Sequence, residues 1–280
     1  MNKGNEKEQE RVTPFSCHEN DRIVFDKRKM EVKSMVKRLK VRQQDEIVIE
    51  ALRKYTYLNA YMLGNILEWQ MNFPRSAVKD LLSHLVSGKM ISRFRIAYDD
   101  SRGIEHRSSF VYMLKSEALT AKRTELNSRE VYSYLAFNQF FASVTKKYSN
   151  AFRSVAYWKG RNETDGKLVF RSGQKLASMQ LVTMRKQPEH ETKEKFLEIS
   201  EGMEKQENLL IICESEPHAA ELEKIRKQIK GLAQANTFYI TDHVTAFSDE
   251  PFCNLLHFGP DSSVYEIVSI PIDTLTLNKR

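Results

Sequence analysis

Residues 75–87 read RSAVKDLLSHLVS, and residues 88–114 continue GKMISRFRIAYDDSRGIEHRSSFVYML. In the first stretch Val78, Leu81, Leu82 and Leu85 fall at i, i+3, i+4 and i+7, which aligns them as one apolar stripe along a helix. Gly88 follows where the residue just past a helix end belongs. The opposite face then carries Arg75, Ser76, Lys79, Ser83 and His84. Beyond it, two β-like segments, 90–97 and 108–114, bracket the polar loop YDDSRGIEHR, which has turn residues and no core. Lys89, Arg93 and Arg95 lead into and along the first segment, and Arg102 and Arg107 sit in the loop. Upstream, residues 45–54 (DEIVIEALRK) pattern as an amphipathic helix with Ile47, Val48, Ala51 and Leu52 inward. Residues 58–68 (LNAYMLGNILE) pattern as a second, with Leu63, Ile66 and Leu67 on one face. Helix, helix, turn, helix and two-stranded ribbon is the order of a winged helix-turn-helix, expected here over residues 44–115. In that arrangement the first two helices support the stripe of the third, whose outer face enters a major groove. The loop arginines suit phosphates or a narrow minor groove. The same fold also serves protein contacts, and that alternative stays open on these residues.

Charge points the same way. Residues 1–126 hold 24 Lys and Arg against 17 Asp and Glu, whereas residues 127–280 hold 20 against 20, so the whole excess of +7 lies in the N-terminal part. A localised basic excess is the electrostatic footprint of a polyanionic partner. Residues 1–20 are polar and charged and read as a flexible arm. Residues 27–42 (KRKMEVKSMVKRLKVR) carry eight basic residues and one acid. They read either as a solvated linker or as a short basic helix or arm that orders on DNA, with Lys37 and Arg38 as candidate contacts. Residues 1–43 are thus expected to form a flexible basic arm or helix.

No apolar run is long enough to span a bilayer, and no secretory leader pattern is present, so a cytoplasmic protein without membrane contact is expected. Cys17, Cys213 and Cys253 are far apart and odd in number, which fits neither a disulfide framework nor a CxxC metal site. They are expected to be reduced and structurally incidental.

The C-terminal part alternates strand and helix. Residues 116–126 are helix-prone. Residues 129–148 (REVYSYLAFNQFFASVTKKY) pattern as a long aromatic helix, with Tyr134, Phe137, Phe141 and Val144 near one face, serving either as core between two domains or as a dimer seam. Residues 116–150 are therefore read as connecting helices. Within 151–280, segments 153–159 and 167–172 suggest a hairpin around GRNETDG, and 176–185 another strand. Helix 192–207, strand 209–214, helix 217–230 (Pro217 at its start, Gly231 at its end) and strand 237–242 follow. The strand–helix–strand unit implies a crossover in a mixed sheet. The fold class is α/β or α+β: an N-terminal winged helix-turn-helix followed by a mixed α/β domain.

The order of segments resembles the replication-relaxation family of plasmid and mobile-element proteins. The resemblance rests on LLSHLVSGKMISR leading into the ribbon, VYMLKSEAL leaving it, YSYLAFNQFF, AYWKG, and LLIICESEPHAAELEKI leading to TFYITD. It implies a degenerate restriction-endonuclease-like second domain. It also implies a part in plasmid replication, origin processing or conjugative transfer, with a relaxase or replication protein as partner. An active nuclease of that fold needs carboxylates and usually a lysine on adjacent strands to hold Mg²⁺ beside the scissile phosphate. The strand expected to carry them, residues 179–185 (MQLVTMR), has no acid. Asp165 lies in a turn, and Glu214 and Glu216, with His218 nearby, end a different strand on which alternation would put both acids on one side. No phosphate-cradling glycine loop, HExxH or GxSxG occurs. The reading is a non-catalytic protein that binds double-stranded DNA at a specific site, without metal or cofactor, and with the second domain recruiting a partner or forming a homodimer. Its alternatives are a metal-dependent nicking nuclease and a transcription regulator whose α/β domain binds a ligand or partner.

Overall fold

The computed structural model describes residues 15–17, 20–26, 42–71, 73–100, 102–115, 127–148, 152–157, 165–172, 175–203, 208–248, 250–259 and 264–272. The basic segment 27–41 with Lys37 and Arg38, and the helix-prone stretch 116–126, lie outside them.

Helix α1 (Gln43–Tyr55) starts where Asp45, fully buried, accepts the backbone N–H of Arg42 at 2.8 Å and its guanidinium at 3.2 Å. A carboxylate three residues into a helix satisfies a donor that has no intrahelical partner and complements the helix dipole. Burial alone would raise the Asp45 pKa, but the Arg42 hydrogen bonds outweigh it and hold the carboxyl below its usual range. A depressed folded-state pKa adds stability above the unfolded value that disappears as pH falls through the folded one. Asp45→Ala is therefore expected to cost about 1–2 kcal/mol at neutral pH. In acid-range urea titrations the gap to wild type should close as Asp45 protonates, and a constant gap down to about pH 2 would count against the assignment.

Strand β2 (Leu58–Asn59) precedes α2 (Ala60–Met71), and the Asn59 side chain caps that helix by accepting the Met62 N–H at 2.9 Å. Pro74 turns the chain into a short 3₁₀ turn (Arg75–Ala77) and α3 (Val78–Ser87), which buries Val78, Leu81, Leu82, Leu85 and Val86. Strands β3 (Ile91–Asp99), β4 (Glu105–Arg107) and β5 (Val111–Leu114) follow. They join an antiparallel sheet in the order β1-β3-β5-β2, with β4 paired to the far end of β3. Its edge, β1 (Arg22–Phe25), pairs with β3 from Arg22↔Ala97 to Phe25↔Phe94. Those four residues belong to the stretch expected to be a flexible arm. Their RIVF pattern is too short to signal a strand alone, and pairing with β3 makes it one.

Helix α4 (Ser128–Tyr148) is buried on several sides, through Val131, Tyr132, Leu135, Phe137, Phe140, Phe141 and Val144. Phe137, Phe141 and Val144 are buried within this chain, and Tyr134 is half-buried. Asn138 donates to the carbonyls of Tyr55 and Tyr57 at 3.0 and 2.7 Å, clamping the turn after α1. Ser143 donates to the Thr245 carbonyl at 2.6 Å on the other side.

The second sheet has seven strands in the order β12-β11-β10-β9-β8-β7-β6. Strands β6 (Phe152–Tyr157), β7 (Gly166–Ser172) and β8 (Lys175–Thr183) form an antiparallel meander. Strands β8, β9 (Asn208–Cys213) and β10 (Thr237–Thr241) run parallel, connected through α5 (Glu189–Gly202) and α6 (Glu216–Gln228). Parallel strands covered on both faces read as unbroken apolar runs, which explains Leu209–Cys213. One face (Leu168, Phe170, Met179, Leu181, Leu210, Ile212) shares a core with α4 and the N-terminal helices. The other (Val182, Leu209, Ile211, Tyr239) lies with Phe196, Ile199 and Leu222 of α5 and α6. The chain closes with α7 (Asp242–Phe247), β11 (Leu255–Phe258) and β12 (Tyr265–Val268), none of which was predicted. Gly231, expected just past the end of α6, instead serves close approach: a Cβ there would lie 2.9 Å from that of Ser200 in α5. Among the described residues no helix is long and apolar enough to cross a membrane.

Candidate nucleic-acid interface

Once α3 has turned its apolar stripe inward, Arg75, Ser76, Lys79 and Ser83 are exposed on the outside. Arg75 pairs with Glu68 of α2 and lies over the Tyr61 ring at 6.0 Å from its centroid. Lys79 has no ion pair among the described residues. His84 is placed differently: it is half-buried with Nε2 3.8 Å from the Asp45 carboxylate, against α1 and away from the exposed row.

The exit of α3 also departs from expectation. Gly88 keeps right-handed helical dihedrals, and Lys89 takes the left-handed position, at φ 57°. The N–H groups of Lys89 and Met90 close back on the carbonyls of Val86 and Leu85 at 3.1 and 3.0 Å, a Schellman pattern shifted one residue onward. A Cβ at that backbone costs roughly 1–2 kcal/mol, and glycine's extra unfolded-state entropy returns part of it. Lys89→Gly is therefore expected to stabilise the protein by about 0.5–1 kcal/mol in urea unfolding. A loss of stability would mean that the lysine side chain holds this turn.

Arg93 and Arg95 do not present free guanidinium groups. They flank the Phe110 ring at 4.0 and 3.9 Å from its centroid, and Arg93 is bridged to Asp26 at 2.6 Å. These two stiffen the ribbon and tie it to the residue that follows β1. At the ribbon tip Asp100 accepts the N–H of Ile104 and that of Arg102, which close a turn around Gly103 at φ 74°. The hydrogen bond from Ile104, then those from His106 and Arg102, hold the Asp100 carboxyl well below the usual range. Arg22 and Arg107 meet Asp99 and Glu105, so the tip is rich in charge but internally balanced. Arg102 pairs with Asp100 at 3.1 Å, and its side chain is 76% exposed, the most solvent-accessible of the tip's paired cations.

A second polar centre lies at the carboxyl ends of β8, β9 and β10. The side chains of Arg185 and Asp242 are both fully buried and make a two-pronged ion pair, and the same guanidinium donates to the Ile212 carbonyl at 3.2 Å. Glu214 accepts the Lys186 N–H at 2.8 Å, and burial raises its pKa. His218 accepts the Glu214 N–H on Nδ1, and burial together with Arg185 and Lys186 depresses its pKa to about 3, so it is neutral. Asp165 accepts the N–H of Thr183, whose carbonyl takes the Lys195 ammonium at 2.9 Å. Glu214 and Glu216 do not share a side as strand alternation suggested, because β9 stops at Cys213. Glu214 points inward, and Glu216 opens α6 in solvent and meets the Tyr265 hydroxyl. These residues do not fit a catalytic divalent cation: a guanidinium occupies the Asp242 carboxylate and a backbone amide engages Glu214. Among the described residues no group of three or more His, Cys, Asp or Glu side chains could hold a metal ion. Cys17, Cys213 and Cys253 are free, and burial pushes the Cys17 thiol up to about 12 and the Cys213 thiol higher still, away from thiolate chemistry.

Solved structures similar to this chain include the restriction endonuclease FokI. One FokI structure superposes with a TM-score of 0.31 at 9% identity, over 74% of this chain and 43% of the FokI chain. FokI bound to DNA superposes with a TM-score of 0.30 at 8% identity, over 74% and 44%. The chain thus matches less than half the length of that enzyme. A superposition this loose assigns neither activity nor substrate. No protein-family model matches the sequence, and no curated protein matches it.

Two features of this surface escaped the sequence reading. Arg22 reaches Asp99 and Glu105 from a strand 77 residues earlier than Asp99, and no local signal encodes such pairing. Tyr61 carries no local signal of this role, since its place beneath Arg75 needs the turn at Pro74.

Proposed function

We propose that residues 44–115 act as a basic winged helix-turn-helix that reads a duplex DNA site, with α3 in the major groove and the β3–β4 ribbon as the wing. The observation that carries this reading is the exposed row of Arg75, Ser76, Lys79 and Ser83 on the helix face opposite the buried stripe. A helix that starts in solvent, with cations and hydroxyls at its first turns, has the chemistry for base edges and phosphates. Arg102 at the ribbon tip supplies a phosphate or minor-groove contact, and Lys37 and Arg38 of the basic segment are further candidate phosphate contacts. The seven-stranded unit is proposed as a non-catalytic scaffold and partner platform. The burial of Arg185 with Asp242 supports that part. The likeness of segment order to replication-relaxation proteins supports a site at an origin of plasmid replication or transfer.

If phosphate neutralisation dominates, log K should fall linearly with log salt with a slope of about −0.9 per phosphate engaged. Fluorescence anisotropy with fragments selected from the native replicon, repeated across salt concentrations, measures it. A slope no steeper than about −1 on every duplex would remove the DNA-reading assignment.

A further inference from the structure

A cleft of about 640 Å³ opens between the ribbon and α7, with Phe15, Tyr61, Tyr98, Tyr132 and Phe247 among its walls. That volume lies within the roughly 300–1,000 Å³ of small-molecule sites, which favour interfaces between structural units and combine apolar walls with a few polar groups. Asn59, Ser108, Ser109 and Gln139 supply the polar edges here. Two of the large hydrophobic side chains that the chain leaves in solvent, Tyr61 at 50% and Phe247 at 70%, border this same opening. His106 lies 3.2 Å from Asp100, and Arg107, the one guanidinium of the lining, is matched by Glu105. Aromatic walls, hydrogen-bonding edges and no spare charge select the occupant.

We propose that this cleft binds an uncharged planar heteroaromatic compound of one or two rings and couples it to the DNA-binding face. The binding half stands on the cleft itself, and the coupling half rests on the winged-helix reading above. Coupling follows from what the cleft shares with that face. Tyr61 is a wall of it and carries the Arg75 guanidinium over its ring. Arg107 and Ser108 bring in the ribbon, where His106 stacks on Tyr98 at 5.1 Å. A ring lodged against Tyr61 and Tyr98 therefore touches supports of both DNA-contacting elements. Linkage requires that ligand and duplex change each other's affinity by the same factor.

The test uses the full chain with 5-fluoroindole and 6-fluoroquinoline as probes, followed by fluorine NMR. Saturable broadening of at least one probe below about 1 mM is expected, weakened at least about tenfold by Ser109→Trp, which fills the opening from an exposed position. Phe247→Ala removes a wall at a solvent-facing side chain and is expected to weaken the same probe. No broadening by either probe, or broadening unchanged in both variants, would overturn the binding site. Duplex affinity measured with and without saturating probe reads the coupling. An unchanged affinity overturns the coupling alone, and absence of duplex binding without probe overturns the winged-helix reading while the NMR result stands by itself.

Discussion

Arg185→Met is expected to destabilise the protein by about 3–5 kcal/mol, the cost of leaving one member of a buried ion pair without its partner. Asp242 is fully buried and would lose the countercharge that Arg185 provides. The same guanidinium bridges the ends of three parallel strands, since it starts after β8, donates to Ile212 in β9 and meets Asp242 after β10. Urea unfolding of Arg185→Met at neutral pH measures the loss. Arg185→Met combined with Asp242→Leu should recover much of the loss at neutral pH, because apolar replacements of both partners remove the uncompensated charge. A single-variant loss below about 1 kcal/mol would show that the pair is not sealed from water.

The double variant Arg75→Ala with Lys79→Ala is expected to lower duplex affinity by about 30-fold at about 1 kcal/mol for each side chain, and by about 10⁴-fold at about 3 kcal/mol each, if both reach a base edge. Both residues are exposed, so the variant should unfold at nearly the wild-type urea midpoint, which separates a lost contact from a lost fold. Removing Arg75 also frees Glu68 from its exposed pair, and like-charge repulsion from DNA adds to the effect. Arg93→Ala is the informative contrast. Its guanidinium is occupied by Asp26 and Phe110, so its loss should show chiefly in stability. A double variant that binds every duplex as wild type does would place the DNA surface elsewhere.

Much of the architecture was legible because its elements carry strong local periodicity. The stripe from Val78 to Leu85 places α3 whatever surrounds it, and the unbroken apolar run at Leu209–Cys213 announces a strand buried on both faces. Asn59 caps α2 through its own side chain, yet the start of α2 was misread by two residues because Leu58 and Asn59 pair with Tyr112 and Val111. The elements near the chain's far end were invisible. Leu255–Phe258 and Tyr265–Val268 are four-residue strands whose existence depends on the edge that β10 offers. Among the candidate site residues, pattern separated inward from outward on α3 but could not foresee that His84 would turn toward Asp45.

What the sequence by itself determined is the one-sided apolar stripe of α3 and the confinement of basic excess to the N-terminal part, because periodicity and net charge are local properties of the chain. Which of those basic residues stay available was decided only by the tertiary structure. Arg93 is drawn to Asp26 because β1 docks beside β3, and Arg22 meets Asp99 for the same reason. Arg185 becomes a buried clasp because parallel strands bring Ile212 and Asp242 to the end of β8. In each case the partner lies tens of residues away along the chain, and an ion pair forms only once strand pairing has brought the two groups together.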